Sequence, residues 1–204
     1  MRKCSLFLSL NCVFIVLLII SAGCRSSPPA KFYTLTSLSD EIPTQQVPAA
    51  RGHLSVGIDP VQIPDYLDRP QIVTRSGMNE LKLAEYDRWA GSLGENITAV
   101  ITENLSLLLS TDSVFPYPWN SSTPVDYRAR INIVRLESIA GDHVELKAIW
   151  TVSSGRENKE VLTKASLFTE PWSGRGYEAM AAAMSRVLEN LCREIGSEIR
   201  KIKD

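Results

Sequence analysis

The chain has 204 residues, 44% of them hydrophobic, with 22 basic and 23 acidic side chains and a formal net charge of −1. A balance so near neutral argues against nucleic acid or a strongly anionic surface as the main partner, because both select clustered positive charge. The length suits one domain with its own core. With three of the four cysteines inside the first 24 residues, a disulfide framework is excluded.

The chain opens with Arg2 and Lys3, then an apolar run from Leu6 to Ile20 that ends on Ser21-Ala22-Gly23-Cys24. A basic head, an apolar stretch of about 7–15 residues and a small-residue exit describe a secretory signal peptide. A spanning helix needs about 20 consecutive apolar residues, and Ser9, Asn11 and Cys12 interrupt this run. An uncleaved anchor and a plain signal peptide beside an ordinary cysteine are the competing readings. Ala22-Gly23-Cys24 resembles the bacterial lipobox, where the cysteine is acylated and the chain is cut just before it. Ser21 departs from the Leu, Val or Ile usual at its position. The polar Arg25-Ser26-Ser27-Pro28-Pro29 follows at once, as a tether would.

The expected organisation is a lipoprotein signal peptide over 1–23, a lipidated tether over 24–31 and a single domain over 32–204. Cleavage removes Arg2 and Lys3 and no acid, leaving 20 basic against 23 acidic residues, a formal −3. Cys4 and Cys12 leave with the signal and Cys24 carries the lipid. Cys192 then stands alone on a helical pattern, where a buried, inert thiol is expected. The three acyl chains of most bacterial lipoproteins hold far better than one chain, which binds reversibly. Resemblance to Gram-negative lipoproteins implies the outer membrane, since Arg25 follows the cysteine in place of the retaining Asp.

Phe32-Tyr33-Thr34-Leu35-Thr36 is a short β-prone run. It is followed by a second linker from Ser39 to Gly52, with Pro43 and Pro48. Too short to persist alone, the run is expected to dock on a larger sheet. Leu54, Val56 and Ile58 alternate with Ser55, Gly57 and Asp59, the period of a half-buried strand. Strands from Ile72 to Arg75 and from Glu80 to Tyr86 flank the turn Ser76-Gly77-Met78-Asn79. Ser92-Leu93-Gly94-Glu95 has the form of a capping box. Leu93, Ile97, Val100, Ile101, Asn104, Leu105 and Leu108 then trace one helical face, apolar except at Asn104.

Val114 to Trp119, broken by Pro116 and Pro118, suits an edge strand. Val125, Tyr127, Ala129, Ile131 and Ile133 alternate with polar neighbours until Val134 and Leu136 break the pattern, which marks either a bulge or the point where the strand passes fully inside. Val144, Leu146, Ala148, Trp150 and Val152 make the next strand. A turn over 155–159 returns the chain as Val161–Thr169, completing an antiparallel meander. From Tyr177 a stripe of Met180, Met184, Val187, Leu188, Leu191, Ile195, Ile199 and Ile202 predicts a helix roughly 40 Å long. The expected class is α+β, a mostly antiparallel sheet with two long helices packed on one face.

Chemistry is sparse. His53 and His143 sit beside strand ends, outside any cluster at metal-ligand spacing, and read as surface residues. The sequence has no Gly-x-Ser-x-Gly elbow and no phosphate loop. Gly174-Arg175-Gly176 reads as a helix lead-in, and Asp59, Asp65 and Asp68 as loop caps without an activating partner. Neither a catalytic residue, a metal nor a cofactor is expected.

One stretch is unusual. Residues 59–73 carry three prolines with Tyr66 and Leu67 in a loop, and Trp89 follows the charged Glu85-Tyr86-Asp87-Arg88. Rigid loops that hold aromatics make binding surfaces, whereas a Tyr66 that plugs the sheet edge would be structural.

These residues carry a resemblance. Phe32-Tyr33-Thr34-Leu35 after a lipobox resembles the PqiC-type lipoproteins, also called ABC-type transport auxiliary lipoprotein components. So do Val56-Gly57-Ile58-Asp59-Pro60-Val61, Ile63 through Val73, and Arg88-Trp89-Ala90. The layout covers nearly all of the mature chain, and residues 54–93 are the distinctive part. The resemblance implies a non-catalytic outer-membrane lipoprotein that faces the periplasm. Its expected partner is an Mce-domain protein of intermembrane lipid transport, and a ring-like homo-oligomer is expected because some members form rings. It singles out Tyr66, Leu67, Asp68, Arg69, Pro70 and Trp89 as a candidate interaction segment. The alternatives are a stand-alone envelope lipoprotein that binds a small apolar ligand or a cell-wall component, and an envelope hydrolase.

Overall fold

The computed structural model describes residues 27–41, 53–119, 124–139, 142–172 and 176–203. The signal segment, Cys24, most of the second linker, Asn120-Ser121-Ser122 and Gly174-Arg175 lie outside them. The chain divides into Met1–Ala30 and Lys31–Asp204, and the fold is that of the second unit.

Its elements in order are β1 (Lys31–Tyr33), the short α1 (Leu38–Glu41), β2 (Val56–Ile58), β3 (Gln71–Gly77), β4 (Glu80–Trp89) and α2 (Leu93–Leu109). Then come β5 (Val114–Pro116), β6 (Tyr127–Ile139), β7 (His143–Ser154), β8 (Glu160–Pro171) and α3 (Tyr177–Lys203). The class is α+β, and the eight strands form one sheet.

The antiparallel meander is present: β6 pairs with β7 from Tyr127↔Ser154 to Ile139↔His143, and β7 with β8. The sheet as a whole is mixed, which corrects the expectation of a mostly antiparallel one. β1 runs parallel to β4, and β2 runs parallel to both β5 and β6. The reason lies in the connections. Parallel neighbours require a crossover, and the long stretches before β2, across α2 and between β2 and β6 supply them.

β6 organises the sheet. One edge is taken entirely by β7. The other is shared, by β2 at Tyr127–Ala129 and by β3 at a single pair, Arg75↔Ile139. Of the two readings of the broken alternation the bulge is present, between Ile133 and Arg135. Before it, Ala129, Ile131 and Ile133 point into the core; after it, Leu136 and Ser138 do. The extra residue turns Arg135 and Glu137 onto the outer face, where the uninterrupted period would have pointed them inward.

The two helices lie side by side on the inner face. Ser92 caps α2, its Oγ accepting from the Glu95 amide at 3.3 Å, and Ser110 closes it in a left-handed conformation at φ 53°. Gly196 of α3 brings its backbone against Leu105, Leu108 and Leu109 of α2. Asn104, the polar break in the α2 stripe, is buried, and its Oδ1 accepts from the Leu38 amide at 2.7 Å. Asn96 accepts likewise from the Leu35 amide at 2.8 Å. These two amides fasten the segment after β1 across the helix face. Cys192 is buried among the core residues, and desolvation pushes its thiol up to about 12.

Candidate interaction surface

The distinctive stretch follows β2 along the open edge of β6. Backbone bonds run from the Asp59 amide to Ala129 O at 3.0 Å, from Gln62 to Ile131 O at 3.1 Å and from Ile133 to Gln62 O at 2.8 Å. Pro64 then stops the pairing, and a tight turn is closed by Leu67 N–H to Pro64 O at 2.9 Å. The stretch rejoins the sheet where the Trp89 amide donates to Pro70 O at 2.8 Å. A loop without repetitive structure is thus held at both ends by the ladder.

Glycine at position 57 has a local cause. A Cβ there would lie 2.9 Å from the Trp119 ring, so the flat indole covers bare backbone. The same ring receives Arg128, whose guanidinium carbon is 5.4 Å from the ring centroid. Arg128 also donates from Nη2 and Nε to Asp59 Oδ1, at 2.9 and 3.1 Å. Asp59 is therefore a buried ion-pair acceptor, a firmer role than the loop cap expected of it.

A second clamp holds the turn itself. Glu137, turned outward by the bulge yet only 3% exposed, accepts Arg75 Nε at 2.5 Å and Nη2 at 2.6 Å. The Tyr66 hydroxyl donates to its Oε1 at 2.6 Å. Burial alone would raise the Glu137 pKa, but hydrogen bonds from Arg75 and Tyr66 and the charges of Arg75 and Arg135 outweigh it and hold the carboxyl below its ordinary value. Desolvation and the bond to Glu137 push the Tyr66 phenol above its ordinary value. Arg135 completes the group by bridging to Glu145 at 2.6 Å. A carboxylate so saturated with donors is ionised and occupied, which suits a structural clamp and not proton transfer.

The candidate segment therefore divides. Leu67 is 2% exposed and Trp89 5%, so both belong to the core and neither can touch a partner directly. Tyr66 is half-buried with its hydroxyl engaged. Asp68, Arg69 and Pro70 are exposed.

Beside them lies an open groove of about 840 Å³. Its walls are the 60–68 stretch, the first turns of α2 and the end of β5, with Val61, Ile63 and Tyr117 as apolar lining and Asp65, Asp68 and Glu95 as charged lining. Sequence reasoning missed Glu95 and Tyr117 as parts of this surface, because each had a sufficient local role as cap and edge residue. His143 pairs with Asp142 at 2.8 Å on the surface. Among the described residues no group of three His, Cys, Asp or Glu could hold a metal ion, and no helix is long and apolar enough to cross a membrane.

Comparison with known proteins extends this picture. The family model described as ABC-type transport auxiliary lipoprotein component matches residues 33–196. The fold is similar to that of an uncharacterized protein of known crystal structure, with TM-score 0.69 and 16% identity over 84% of this chain and 99% of that one. It is also similar to protein XCC0632 from Xanthomonas campestris, a DUF330 protein, with TM-score 0.65 and 18% identity over 82% and 93% of the two chains. At such identities the likeness is one of fold. Among curated proteins nothing matches.

Proposed function

Because the chain belongs to the ABC-type transport auxiliary lipoprotein component family, we propose that it is a non-catalytic docking subunit. In this reading acylated Cys24 ties it to the outer membrane facing the periplasm. Residues 1–23 are the removed signal, 24–31 the tether and the remainder the docking domain. The partner is an Mce-domain protein of an intermembrane lipid transport system. Tethering supplies the physical logic: a domain confined to a surface meets its partner at raised effective concentration, so a small interface suffices.

The observation that carries the reading is the construction of the 59–70 stretch. Two buried ion-paired clamps, Asp59–Arg128 and Glu137–Arg75, hold it rigid, yet it presents Asp68, Arg69 and Pro70 to solvent, with Asp68 lining a groove. Rigidity at an exposed site lowers the ordering cost of binding. The test is co-purification of an Mce-domain protein from the same cells with the acylated lipoprotein. Asp68→Lys with Arg69→Glu should abolish recovery of the partner while the melting temperature stays within about 2 °C, the range of a neutral surface change. Undiminished recovery would remove the segment from docking.

The groove favours one second reading, a stand-alone envelope lipoprotein, because its volume falls within the roughly 300–1,000 Å³ of small-ligand sites. Native mass spectrometry of protein extracted from its own membrane separates the two: a stoichiometric small apolar ligand supports the second, and a bare chain the first.

A further inference from the structure

The β3–β4 hairpin ends in the turn Gly77-Met78-Asn79-Glu80, and Met78 is 93% exposed. Hairpin turns ordinarily take Asn, Gly or Asp; a methionine there contributes nothing to packing in this fold. The turn is also held firmly. Arg75, fixed by Glu137, donates from Nη1 to Met78 O at 2.8 Å.

The strand directions say which way this tip faces. β4 starts at the tip, and β1 runs parallel to it with Lys31 opposite Asp87. From Asp87 back to Glu80 is seven residues, about 24 Å of strand. Cys24 stands seven residues ahead of Lys31, so an extended tether reaches at most about 25 Å from the start of β1. A fully extended tether is therefore long enough to span the distance from the start of β1 to the level of the tip. Phe32, 64% exposed, sits at the same strand opening. The β7–β8 turn lies at the opposite end of the sheet, since Ser154 pairs with Tyr127 at the start of β6 and β3 meets β6 at its finish, Ile139.

We propose that the β3–β4 hairpin tip is a second membrane contact, with Met78 seated in the lipid interface that the tether leads to. The proposal rests on acylation of Cys24. An unbranched, polarizable side chain suits the disordered acyl boundary, and Asn79 and Lys82 beside it can face headgroups. With one attachment the domain swings freely on its tether. A second contact fixes its orientation, and with it the direction in which the docking groove faces.

The test uses the full acylated chain reconstituted in vesicles of phosphatidylethanolamine and phosphatidylglycerol. Met78→Cys carries an environment-sensitive fluorophore, and Glu157→Cys at the opposite turn is the control. Cys192 is buried and will not take the label. The expected result is flotation with vesicles for both proteins, with a blue shift and quenching by interfacial nitroxide lipid at position 78 alone. Flotation with equal, water-like emission at both positions overturns the hairpin contact and leaves the anchor standing. Failure to float overturns both. A shift at position 78 that follows protein concentration without vesicles assigns the tip to a second copy of the chain, and the lipid contact falls.

Discussion

Removing Arg75 should expose how much the fold depends on one carboxylate. Glu137 is 3% exposed and takes two of its three close donors from Arg75. In Arg75→Met the carboxylate keeps Tyr66 at 2.6 Å and a more distant Arg135 at 3.8 Å. Breaking one side of a buried ion pair costs about 3–5 kcal/mol, and Arg75's own partial exposure places the expectation at the lower end, about 3 kcal/mol. For a domain of this size that is a fall in melting temperature of roughly 6–12 °C. Tyr66→Phe, which removes one donor from a charged acceptor, should cost about 1.5–2 kcal/mol. The two losses should not add, because they share Glu137. The pH dependence fixes the sign. The native pKa of Glu137 lies below its ordinary 4.5, so the clamp's contribution is present above that value and is lost as the pH falls through the native pKa. The Arg75→Met penalty, measured by urea unfolding, should therefore be full at neutral pH and shrink in acid. A penalty under about 1 kcal/mol at neutral pH, or one that does not change with pH, would refute the clamp, since surface pairs of no consequence behave that way.

Gly155→Ala should destabilise the domain by about 2 kcal/mol or more, as overpacking does, because its Cβ would lie 2.0 Å from Val125 O where the Gly155 amide now donates to Asp126 O at 2.8 Å; thermal unfolding reads this directly. Cys192, with a thiol raised to about 12 by burial, should resist maleimide in native protein and react at the unfolding rate in denaturant. Cys24→Ser should leave unprocessed precursor without incorporated acyl label, and a variant that still matures and fractionates with membranes would sink the lipidated-tether reading.

What was legible in the sequence follows the range of the interactions involved. The β6–β7–β8 meander, both long helices and the break in alternation at Val134 were readable because period and turn chemistry are local. The parallel pairings were not, since they join Val56–Ile58 to strands 58 and 71 positions away. Asn104 was visible as an exception to its stripe, but its partner, the Leu38 amide, lies 66 residues off. The candidate segment shows the same limit within six residues. No periodicity distinguishes Leu67, which is buried, from Asp68, which is not. Nothing local in the sequence marks Glu137, because its partners Arg75 and Tyr66 are 62 and 71 positions distant.

That division inside one segment bears on how docking would work. If Asp68, Arg69 and Pro70 meet a partner, their geometry is set by groups that never touch it: Leu67 in the core, Tyr66 on Glu137 and Asp59 on Arg128. The ordering of the loop is then complete before the partner arrives, and the affinity lost to ordering is correspondingly small. A preorganised contact and a plain contact respond differently to perturbation. Tyr66→Phe loosens the turn without altering any exposed atom of residues 68–70, so in the preorganised case it should weaken docking along with stability. Asp68→Lys should weaken docking alone. Equal partner affinity for Tyr66→Phe and the parent, measured where both are fully folded, would mean that the clamps serve the fold only.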